Sequence, residues 1–490
     1  MRAAFIPSTL KTPENLPLVV DLDGTLCRSD TLIEAIFNLC RKNPLNCLRL
    51  PFWLLRGKAA FKHEVFSRGA PDPGLLPWNQ ELLDWLKVEH QRGRELILAT
   101  GSPAFFATQV AEHLGLFKEV YGSDRQTNFT GSKKAALFRE KYGERRFAYA
   151  GNALVDIRVW RVAGEGVIVN PDLNLLLFGS GKGLCPVSRV ILPQKSMVRI
   201  LAKAIRVHQW SKNLLIFVPV ALGGKITDVA LLAKAGVAFA AFSLVASSVY
   251  LLNDMLDLES DRCHPDNRRR PFAAGDLSLL WGMAMAPVLL VTGFLMAWLL
   301  APKFLMVLAG YYVLTFAYSF YLKRLVLADI VVLAGLYTFR IFAGGVATST
   351  VLTYWLLTFS GFLFLSLALV KRTSELLMAK EQGTEVNSRR GYQIGDISQL
   401  SSFGSAAGYL SILVFALYLR SPQVSFIYPR PDLLWFVCPF LLYWISRMWL
   451  KTHRGEMHSD PLVYAMKDRG SYVIIGVMAL IWAVAAGYFL

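Results

Sequence analysis

The sequence predicts two parts of different fold class: an α/β soluble domain at residues 1–190 and an all-α membrane bundle at residues 195–490. The first prediction rests on a short apolar run, Leu16–Val20, followed directly by the acidic turn Asp21–Thr25 (DLDGT). The second rests on apolar runs of about 18 or more residues, which recur from Met197 onward and can each cross a bilayer. A linker containing several glycines, residues 172–193, is predicted between the two parts.

Charge and cysteine content limit the classes of function. The formal net charge is +17 at pH 7, and 54% of the residues are hydrophobic. In a membrane protein, excess lysine and arginine set orientation and lipid contact, so this basic balance does not indicate a nucleic-acid partner. The six cysteines show no CxxC spacing, which favours free thiols in a protein that faces the cytoplasm. The first residues lack an apolar core of signal-peptide length, so we expect no cleaved signal.

The acidic turn places two carboxylates, Asp21 and Asp23, at the end of a predicted strand, where open α/β sheets bind ligands. The pattern resembles the DxDGT signature of the haloacid dehalogenase superfamily, which has a Rossmann-like fold. This resemblance implies that Asp21 is a nucleophile forming an aspartyl phosphate and that Asp23 is the general acid and base. It also implies that Asp21, Asp23 and Asp156 bind Mg²⁺.

Later segments follow in the order expected for that superfamily. Thr100 ends the second predicted strand and resembles the hydroxyl that binds phosphate. Lys134, favoured over Lys133, resembles the lysine that balances phosphate charge. A further strand leads to Asn152 and Asp156, where the superfamily usually has an acidic pair. Since Asn152 contributes no charge, the domain is either an active phosphatase or a degenerate scaffold, and the sequence leaves both open.

Residues of about 30–90 are predicted to form a small helical cap between the first two motifs. The cap contains the apolar patch Leu48–Leu55, and the basic residues Arg56, Lys58 and Lys62 follow it. Two roles stay open for this segment: it covers the phosphatase site, or it lies on the membrane surface.

Nine membrane spans are predicted from length and apolarity. They cover residues 199–222, 228–253, 279–300, 304–322, 327–347, 351–371, 403–419, 432–450 and 471–489. With the N-terminal domain in the cytoplasm, the inner loops carry sixteen lysines and arginines and the outer loops carry four. We therefore expect an integral protein of the bacterial inner (cytoplasmic) membrane, with its N-terminal domain cytoplasmic.

The strongest functional signal follows the second predicted span, in residues Asn253–Gly275, here named the Asp-rich segment. Asp254, Asp257 and Asp261 lie at positions i, i+3 and i+7 and therefore share one face of a helix. Three like charges repel one another, and Mg²⁺ relieves this repulsion by binding carboxylates together with substrate phosphates. Because the basic run Arg268–Arg270 follows at once, a diphosphate site is favoured over a solvated acidic turn between two membrane helices.

The NDxxDxxxD pattern resembles the UbiA superfamily of intramembrane prenyltransferases. Neighbouring motifs narrow this to the branch typified by decaprenyl-phosphate phosphoribosyltransferase. The resemblance implies a Mg²⁺-dependent transfer of 5-phosphoribose from phosphoribosyl pyrophosphate to a polyprenyl phosphate, with Asp254 and Asp257 catalytic and Asp254, Asp257 and Asp261 binding the metal. The implied substrate-binding residues are Arg206, Lys212, Asn213, Asn253, Arg268, Arg270, Tyr318, Lys323, Lys371 and Arg372.

Three positions qualify this resemblance. Asn267 stands where that branch often has lysine, and Glu375 stands where many prenyltransferases have an aspartate pair. Arg340 lies well inside the fifth predicted span, where a charge is costly unless it is paired or faces a polar cavity. Its candidate partners are Asp329 and backbone carbonyls.

The leading hypothesis is a membrane phosphoribosyltransferase fused to a phosphatase-like domain that removes the 5-phosphate from the transferred ribose. One alternative is a UbiA-type prenyltransferase that joins an isoprenyl diphosphate to an aromatic acceptor. Another is a non-enzymatic membrane scaffold. The sequence leaves open the length and saturation of the polyprenyl chain and the oligomeric state.

Overall fold

A computed structural model describes residues 16–171, 175, 185–192, 195–265, 267–381, 391–457, 461–465 and 467–488. Most of the predicted linker lies outside these residues, as do Arg389, Arg390 and Asp460. The chain packs into two compact units, which are described separately. The first comprises residues 1–205 and 250–285, and the second comprises residues 206–249 and 286–490. The Asp-rich segment therefore packs in the same unit as the α/β domain.

The first unit contains a six-stranded parallel sheet with the strand order β3-β2-β1-β4-β5-β6. The strands are β1 (Leu18–Val20), β2 (Leu96–Pro103), β3 (Glu119–Ser123), β4 (Ala148–Gly151), β5 (Glu165–Val169) and β6 (Val187–Ile191). Strand β6 lies within the predicted linker, so the linker prediction is wrong there. The glycines and Pro186 before β6 are typical of a linker, so the sequence does not indicate this five-residue strand. Its pairing with β5 forms only in the folded sheet.

Alternate residues of β1 point to opposite faces of the sheet, as the pleat of a strand requires. Leu18 and Val20 pack in an apolar cluster that includes Leu39 and Phe66 from helices of the predicted cap. Val19 packs in a separate cluster that includes Trp160. Because both faces are covered, β1 consists of apolar residues only.

The predicted cap is helical and lies between β1 and β2. The α-helices that surround the sheet are α1 (Thr31–Lys42), α2 (Leu50–Leu55), α3 (Lys58–Gly69), α4 (Gln80–Gln91), α5 (Ala104–Leu114), α6 (Gly131–Tyr142) and α7 (Ile157–Trp160). Short 3₁₀ helices cover Pro44–Arg49, Pro73–Leu75 and Leu154–Asp156. Helix α1 begins where the side chain of Asp30 accepts hydrogen bonds from the N–H groups of Leu32 and Ile33.

One expectation about the cysteines is wrong. Cys40, in the last turn of α1, forms a disulfide with Cys47, and their Cα atoms are 5.7 Å apart. The 3₁₀ helix after α1 turns the chain back and brings the two residues together, which the spacing alone does not indicate. Cys27, Cys185, Cys263 and Cys438 are free, as expected.

From Met197 onward, the described part of the chain forms helices joined by turns. The α-helices cover Met197–Ala204, Val218–Leu222, Val229–Leu256, Leu258–Cys263, Leu279–Leu300, Pro302–Phe320, Ala328–Thr348, Tyr354–Glu381, Ile397–Leu419, Pro422–Ile427, Val437–His453, Pro461–Ala465 and Arg469–Ala485. Further 3₁₀ helices cover Val207–Phe217, Asn267–Arg269, Leu322–Arg324, Ile394–Asp396 and Pro431–Phe436. We name Leu258–Cys263 the acidic helix.

Within the described residues, six helices are long and apolar enough to cross a membrane. They are Val229–Leu256, Leu279–Leu300, Ala328–Thr348, Tyr354–Glu381, Ile394–Leu419 and Pro431–His453. The predicted count of nine is not confirmed. The predicted first span, 199–222, is divided into Met197–Ala204, the 3₁₀ helix Val207–Phe217 and Val218–Leu222. The helix is interrupted at Arg206, because the φ of this residue, 54°, lies in the left-handed region and is incompatible with a continuous right-handed helix.

Small residues allow close helix contacts in the second unit. A Cβ added to Gly404 would lie 2.0 Å from the ring of Trp449, so only glycine fits between these two helices. Ser366 accepts a hydrogen bond from Nε1 of Trp449 at 3.1 Å and donates to the carbonyl of Gly404 at 2.7 Å. Small residues and interhelical hydrogen bonds are typical of helix packing in membranes.

Candidate functional site

Asp21 stands at the carboxyl end of β1, in the middle of the sheet, where its N–H donates to the carbonyl of Ala150 at 3.0 Å. The ammonium of Lys134 donates to Oδ1 of Asp21 at 2.7 Å and to the hydroxyl of Tyr149 at 3.2 Å. Lys134 is buried, so this pair is largely shielded from water. The structure thus brings together two of the residues predicted for the phosphatase site.

Asp23 is held by three donors from two different elements. Its Oδ1 accepts from the N–H of Thr31 at 2.8 Å and from the Thr31 hydroxyl at 2.7 Å. Its Oδ2 accepts from the hydroxyl of Ser102 at 3.1 Å. Burial, together with the charge of Asp30, raises the pKa of Asp23 to about 7. A carboxyl group with such a pKa can both donate and accept a proton near neutral pH.

Asp156 closes the site from the loop after β4. It accepts from the hydroxyl of Tyr149 at 2.8 Å and from the N–H groups of Asn152 and Ala153 at 3.1 and 3.0 Å. Burial and the charge of Asp21 raise the pKa of Asp156 to about 6. The hydroxyl of Tyr149 thus links Asp156 to Lys134, whose ammonium bonds Asp21.

Asn152, the departure from the family pattern, also lies at the acidic turn. Its Oδ1 is 3.4 Å from the hydroxyl of Thr25. A Cβ added to Gly24 would lie 2.1 Å from Nδ2 of Asn152, and Gly24 has a φ of +75°. Glycine is needed here both for the backbone conformation and for the approach of Asn152.

Thr31, Ser102 and Lys62 join this site although the motifs give them no role. Lys62, on the cap helix α3, donates to the carbonyl of Gly101 at 2.6 Å and to Oδ1 of Asn128 at 3.0 Å. Burial lowers its pKa. Thr100, which the sequence favoured, is fully buried and accepts from the N–H of Ser102 at 3.0 Å. The sequence signal for Lys62 is its position in the predicted cap, whose two possible roles the sequence leaves open.

The apolar patch of the cap behaves differently from Lys62. Leu48, Phe52 and Leu55 are 68%, 68% and 85% exposed. Helix α3 therefore supports the cap role, while the 3₁₀ helix Pro44–Arg49 and helix α2 present an apolar surface.

The donors of this site fit Mg²⁺. Asp21, Asp23 and Asp156 supply carboxylate oxygens at this end of the sheet, and Asn152 supplies an amide oxygen. Hard oxygen ligands of this kind suit the ion. Throughout the part of the chain that the structure describes, no group of three or more His, Cys, Asp and Glu side chains forms a ready metal cage. Mg²⁺ usually takes one or two protein carboxylates and completes its shell with phosphate oxygens and water.

The Asp-rich segment begins at the end of helix Val229–Leu256 and continues into the acidic helix. The helical hydrogen bonds pass through the junction, from the N–H of Asp257 to the carbonyl of Asn253 at 2.9 Å and from the N–H of Asp261 to the carbonyl of Asp257 at 2.8 Å. The two helices meet at Asp257, so the predicted single helical face is bent there.

Arg270 brings two of the predicted acids together. Its Nη1 donates to Asp254 Oδ1 at 3.1 Å and to the two oxygens of Asp261 at 2.9 and 2.7 Å. Both aspartates are buried, and burial raises the pKa of Asp261 to about 6 despite the neighbouring guanidinium. This arrangement fits a site for Mg²⁺ and phosphate. Mg²⁺ can replace Arg270 as the partner of the carboxylates, and phosphate can replace the carboxylates as the partner of Arg270, so no buried charge is left unpaired.

The other predicted residues of this segment are more accessible. Asn253 and Asp257 are half-buried, and Arg268 is exposed in the 3₁₀ helix Asn267–Arg269. These three side chains are thus more exposed to solvent than those of Asp254 and Asp261.

In the second unit, Arg372 is buried and forms ion pairs with Asp329 and Glu375. Tyr392 also donates to Asp329. The guanidinium predicted to bind donor phosphate is thus neutralised by protein carboxylates. Glu375, which stands in for the second acidic motif, is itself occupied by this pair.

Asn213 and Arg340 form a second buried polar group of that unit. Arg340 donates from Nε to Oδ1 of Asn213 at 2.8 Å and from Nη2 to the hydroxyl of Tyr311 at 3.0 Å, and it also donates to the carbonyl of Leu336. The expectation that Asp329 pairs with Arg340 is wrong, because Arg372 takes that carboxylate. The expected carbonyl partner is confirmed. Asn213 donates to Ser243 at 2.9 Å, so both ends of its side chain are used inside the bundle.

The remaining predicted substrate-binding residues of this unit are neither fully buried nor fully exposed. They are Arg206, Lys212, Tyr318, Lys323 and Lys371. The ammonium of Lys212 lies 5.7 Å from the centre of the Tyr337 ring.

Comparison with known proteins identifies both parts of the chain. Residues 214–467 match the UbiA prenyltransferase family, and residues 18–159 match the haloacid dehalogenase-like hydrolases. An uncharacterized protein of Sinorhizobium fredii, y4nM, is 36% identical over 474 residues, which are 96% of this chain and 91% of that protein. The two-part organisation is therefore shared along nearly the whole length of both chains.

Two shorter relatives are similar over part of the chain. The nodulation protein NoeC of Azorhizobium caulinodans is 37% identical over 57% of this chain and 90% of its own length. Decaprenyl-phosphate phosphoribosyltransferase of Mycobacterium tuberculosis is 32% identical over 61% of this chain and 96% of its own length. Because the UbiA match covers just over half of the 490 residues and six helices can span a bilayer, the chain is an integral membrane protein of the UbiA prenyltransferase family, with a haloacid dehalogenase-like domain at its N-terminal end.

Proposed function

We propose that this protein transfers 5-phosphoribose from phosphoribosyl pyrophosphate to a polyprenyl phosphate, with release of pyrophosphate. The observation that carries the proposal is the Arg270 cluster, in which one guanidinium is shared by Asp254 and Asp261. A site that holds a dense diphosphate needs acids for the metal and bases for the phosphate, and this cluster supplies both. The similarity to decaprenyl-phosphate phosphoribosyltransferases supports the choice of donor and acceptor.

The residues act chiefly by electrostatics in this proposal. Asp254, Asp257 and Asp261 would hold the Mg²⁺ of the donor, and the bound ion would neutralise charge on the leaving pyrophosphate. Arg270 exchanges its carboxylate partners for diphosphate oxygens, and Arg268 contacts the same group. The anomeric C–O bond to pyrophosphate breaks while a phosphate oxygen of the lipid bonds to the anomeric carbon. Because the acceptor is already an anion, no strong base is required.

The acceptor and the membrane arrangement complete the proposal. We assign Arg206 and Lys212 to the lipid phosphate, and Asn253, Tyr318, Lys323 and Lys371 to the donor. We infer that residues 1–190 are cytoplasmic and that residues 195–490 form the membrane domain in the bacterial inner membrane. With the nine spans predicted from the sequence, the first of which is interrupted at Arg206, sixteen of the twenty loop cations lie inside. Asn213 and Arg372 are better assigned to packing, because the side-chain amide of Asn213 and both Nη atoms of Arg372 are already paired. Among the described residues, the Nε of Arg372 is buried without a hydrogen-bond partner.

The N-terminal domain is proposed to act on the product. The carboxylate of Asp21 attacks the phosphorus of the ribose 5-phosphate, and the bond to the ribose oxygen breaks as Asp23 donates its proton. Asp23 then takes a proton from water, which hydrolyses the aspartyl phosphate and releases inorganic phosphate. Lys134 neutralises the charge that accumulates on Asp21 and the phosphate.

The transferase proposal is tested with purified protein in nanodiscs, supplied with radiolabelled phosphoribosyl pyrophosphate and decaprenyl phosphate. We expect a Mg²⁺-dependent labelled lipid that is lost on chelation and reduced at least about 100-fold in Asp254→Asn. Asp228→Asn is the matched control, since Asp228 is exposed and asparagine preserves its helix cap. Transfer from an isoprenyl diphosphate to an aromatic acid under the same conditions, without ribosyl transfer, would establish the alternative prenyltransferase.

The phosphatase step is tested by the state of the lipid product. In Asp21→Asn we expect the transferase rate to persist and the 5-phosphorylated lipid to accumulate, because the nucleophile is removed and the fold is kept. Asp84→Asn, an exposed aspartate of α4, should leave the product ratio at the wild-type value. An identical product ratio in wild type and Asp21→Asn would exclude this role for the domain.

A further inference from the structure

Helix α1 of the haloacid dehalogenase-like domain is joined to the acidic helix by a buried ion pair. Glu34 Oε1 accepts from Nη2 of Arg262 at 2.6 Å, and Oε2 accepts from Nη1 at 2.8 Å. The two side chains are 2% and 6% exposed. A two-pronged contact of this kind fixes both distance and orientation.

A second contact lies further along the same two helices. Glu259 Oε1 accepts from Nδ2 of Asn38 at 2.8 Å, and its Oε2 is 3.3 Å from Nη1 of Arg41. Glu34, Asn38 and Arg41 are spaced i, i+4 and i+7, so they share one face of α1. Glu259 and Arg262 are three residues apart and share one face of the acidic helix. The two faces are therefore complementary in charge along more than one turn.

Each end of this connection adjoins a group proposed for chemistry. Helix α1 begins at Thr31, whose N–H and hydroxyl hold Asp23 at 2.8 and 2.7 Å. The acidic helix carries Asp261 next to Arg262 in the chain. Arg262 also donates from Nε to the carbonyl of Ala273 at 3.0 Å, which ties down the loop that contains Arg270. The guanidinium of Arg262 thus contacts α1 and the loop that contains Arg270, while Arg262 itself belongs to the same helix as Asp261.

We propose that Glu34 is a positioning residue for the diphosphate site, acting through Arg262 on Asp261 and Arg270. The soluble domain then supplies part of the frame in which the membrane enzyme binds its donor. This inference rests on the proposed function of the Asp-rich segment. It assigns no contact with substrate to Glu34, because its carboxylate is buried and both of its oxygens bond Arg262.

The buried pair suits positioning better than bulk stability. Replacing a buried ion pair by apolar residues is often neutral for stability, whereas a buried charge left without its partner is strongly unfavourable. Removing the charge of Glu34 should therefore release Arg262 from α1 and loosen the acidic helix, and the sheet and its site should keep their structure.

The experiment compares wild type with Glu34→Gln, both full-length in nanodiscs. Hydrogen–deuterium exchange of the ligand-free proteins should show faster exchange across residues 253–275 in the variant. Binding of inorganic pyrophosphate with Mg²⁺, measured by calorimetry, should weaken about tenfold. The KM for phosphoribosyl pyrophosphate should rise by a similar factor with a smaller change in kcat. Glu81→Gln, an exposed glutamate of α4, is the matched control and should change none of these values.

The outcomes separate this inference from the function on which it rests. Unchanged exchange and unchanged pyrophosphate binding in Glu34→Gln, with a wild type that binds, would overturn the positioning role. A wild type that binds no pyrophosphate would instead refute the proposed function, and the exchange data would still report on the pair. Hydrolysis of a small phosphate ester reports folding of the soluble domain. If Glu34→Gln loses this hydrolysis, the double variant Glu34→Arg with Arg262→Glu is measured instead. Pyrophosphate binding restored in the double variant supports the positioning role. Ester hydrolysis restored without pyrophosphate binding overturns that role.

Discussion

The Nε of Arg340 donates to the side-chain oxygen of Asn213 at 2.8 Å inside the helical bundle of the second unit. The guanidinium carbon also lies 5.3–5.5 Å from the ring centres of Phe242, Tyr311 and Tyr337. A guanidinium buried among apolar helices is stable only when its N–H groups have hydrogen-bond acceptors. Cation–π contacts with aromatic rings stabilise it further. Asn213 is thereby a structural residue as the protein stands.

Asn213→Leu is expected to destabilise the bundle by about 3 kcal/mol, because it leaves the Arg340 Nε and the Ser243 hydroxyl without their partner. The measurement is the midpoint of thermal inactivation in detergent. Gln399→Leu, at an exposed position of helix Ile397–Leu419, is the control for adding an apolar side chain. Equal midpoints for wild type and Asn213→Leu would contradict the structural role.

Lys62 is expected to bind the phosphate of the monoester substrate from the cap. Its ammonium already lies against the carbonyl of Gly101 at 2.6 Å, beside the second motif. Lys62→Met should lower kcat/KM for a phosphate ester about tenfold, as expected for loss of one charge-assisted contact. Lys58→Met, at the exposed start of the same helix, removes an equal charge away from the site. If both variants behave alike, the effect is a general one of net charge.

Phosphatase activity should depend on pH through Asp23. The pKa of this carboxyl group is raised to about 7, and its protonated form donates to the leaving oxygen. The fraction of protonated Asp23 falls as pH rises through 7, so aspartyl phosphate formation should slow about tenfold per pH unit above that value. Single-turnover rates between pH 6 and pH 9 (roughly the range over which such a group titrates) measure this dependence. In Asp23→Asn the rate should be low at every pH and should not show the decrease above pH 7.

The exposed apolar patch of the cap should lie on the membrane. No acidic residue occurs between Glu34 and Glu64, whereas Arg41, Lys42, Arg49, Arg56, Lys58 and Lys62 do. An apolar surface flanked only by cations suits an anionic bilayer.

A spin label at Phe52→Cys, with Cys263→Ser, measures this contact. We expect more collisions with lipid-soluble oxygen than with a water-soluble nickel complex in anionic nanodiscs, and the reverse for a label at Glu81→Cys. A label at position 52 that is as water-accessible as the one at Glu81 would leave only the cap role of this segment.

Much of the proposed phosphatase site follows from local sequence. A carboxylate at the end of a buried strand can point only to the carboxyl edge of a parallel sheet, so Asp21, Lys134 and Asp156 could be placed from their motifs. Thr31 and Lys62 could not, because their roles depend on how the cap helices fold back over that edge. Ser102 lies two residues after Thr100, and which of the two hydroxyls reaches Asp23 depends on the exact path of the strand end.

The pairings of the buried cations were harder to predict. Asp329 precedes Arg340 by 11 residues in the sequence, yet its carboxylate pairs with Arg372, which is 43 residues away. The bundle places Asn213 from another helix beside Arg340, at a separation of 127 residues, which no local pattern encodes.

By itself, the sequence determined the α/β and membrane parts, the position of the acidic turn and the spacing of the three aspartates, because strand and helix periodicity and bilayer thickness are local constraints. Only the tertiary structure decided that Arg270 is shared by Asp254 and Asp261 and that Glu34 holds Arg262. Such pairs form between residues up to 228 apart in the chain. Because a buried charge is stable only beside an opposite charge, the partners are those that the fold buries together.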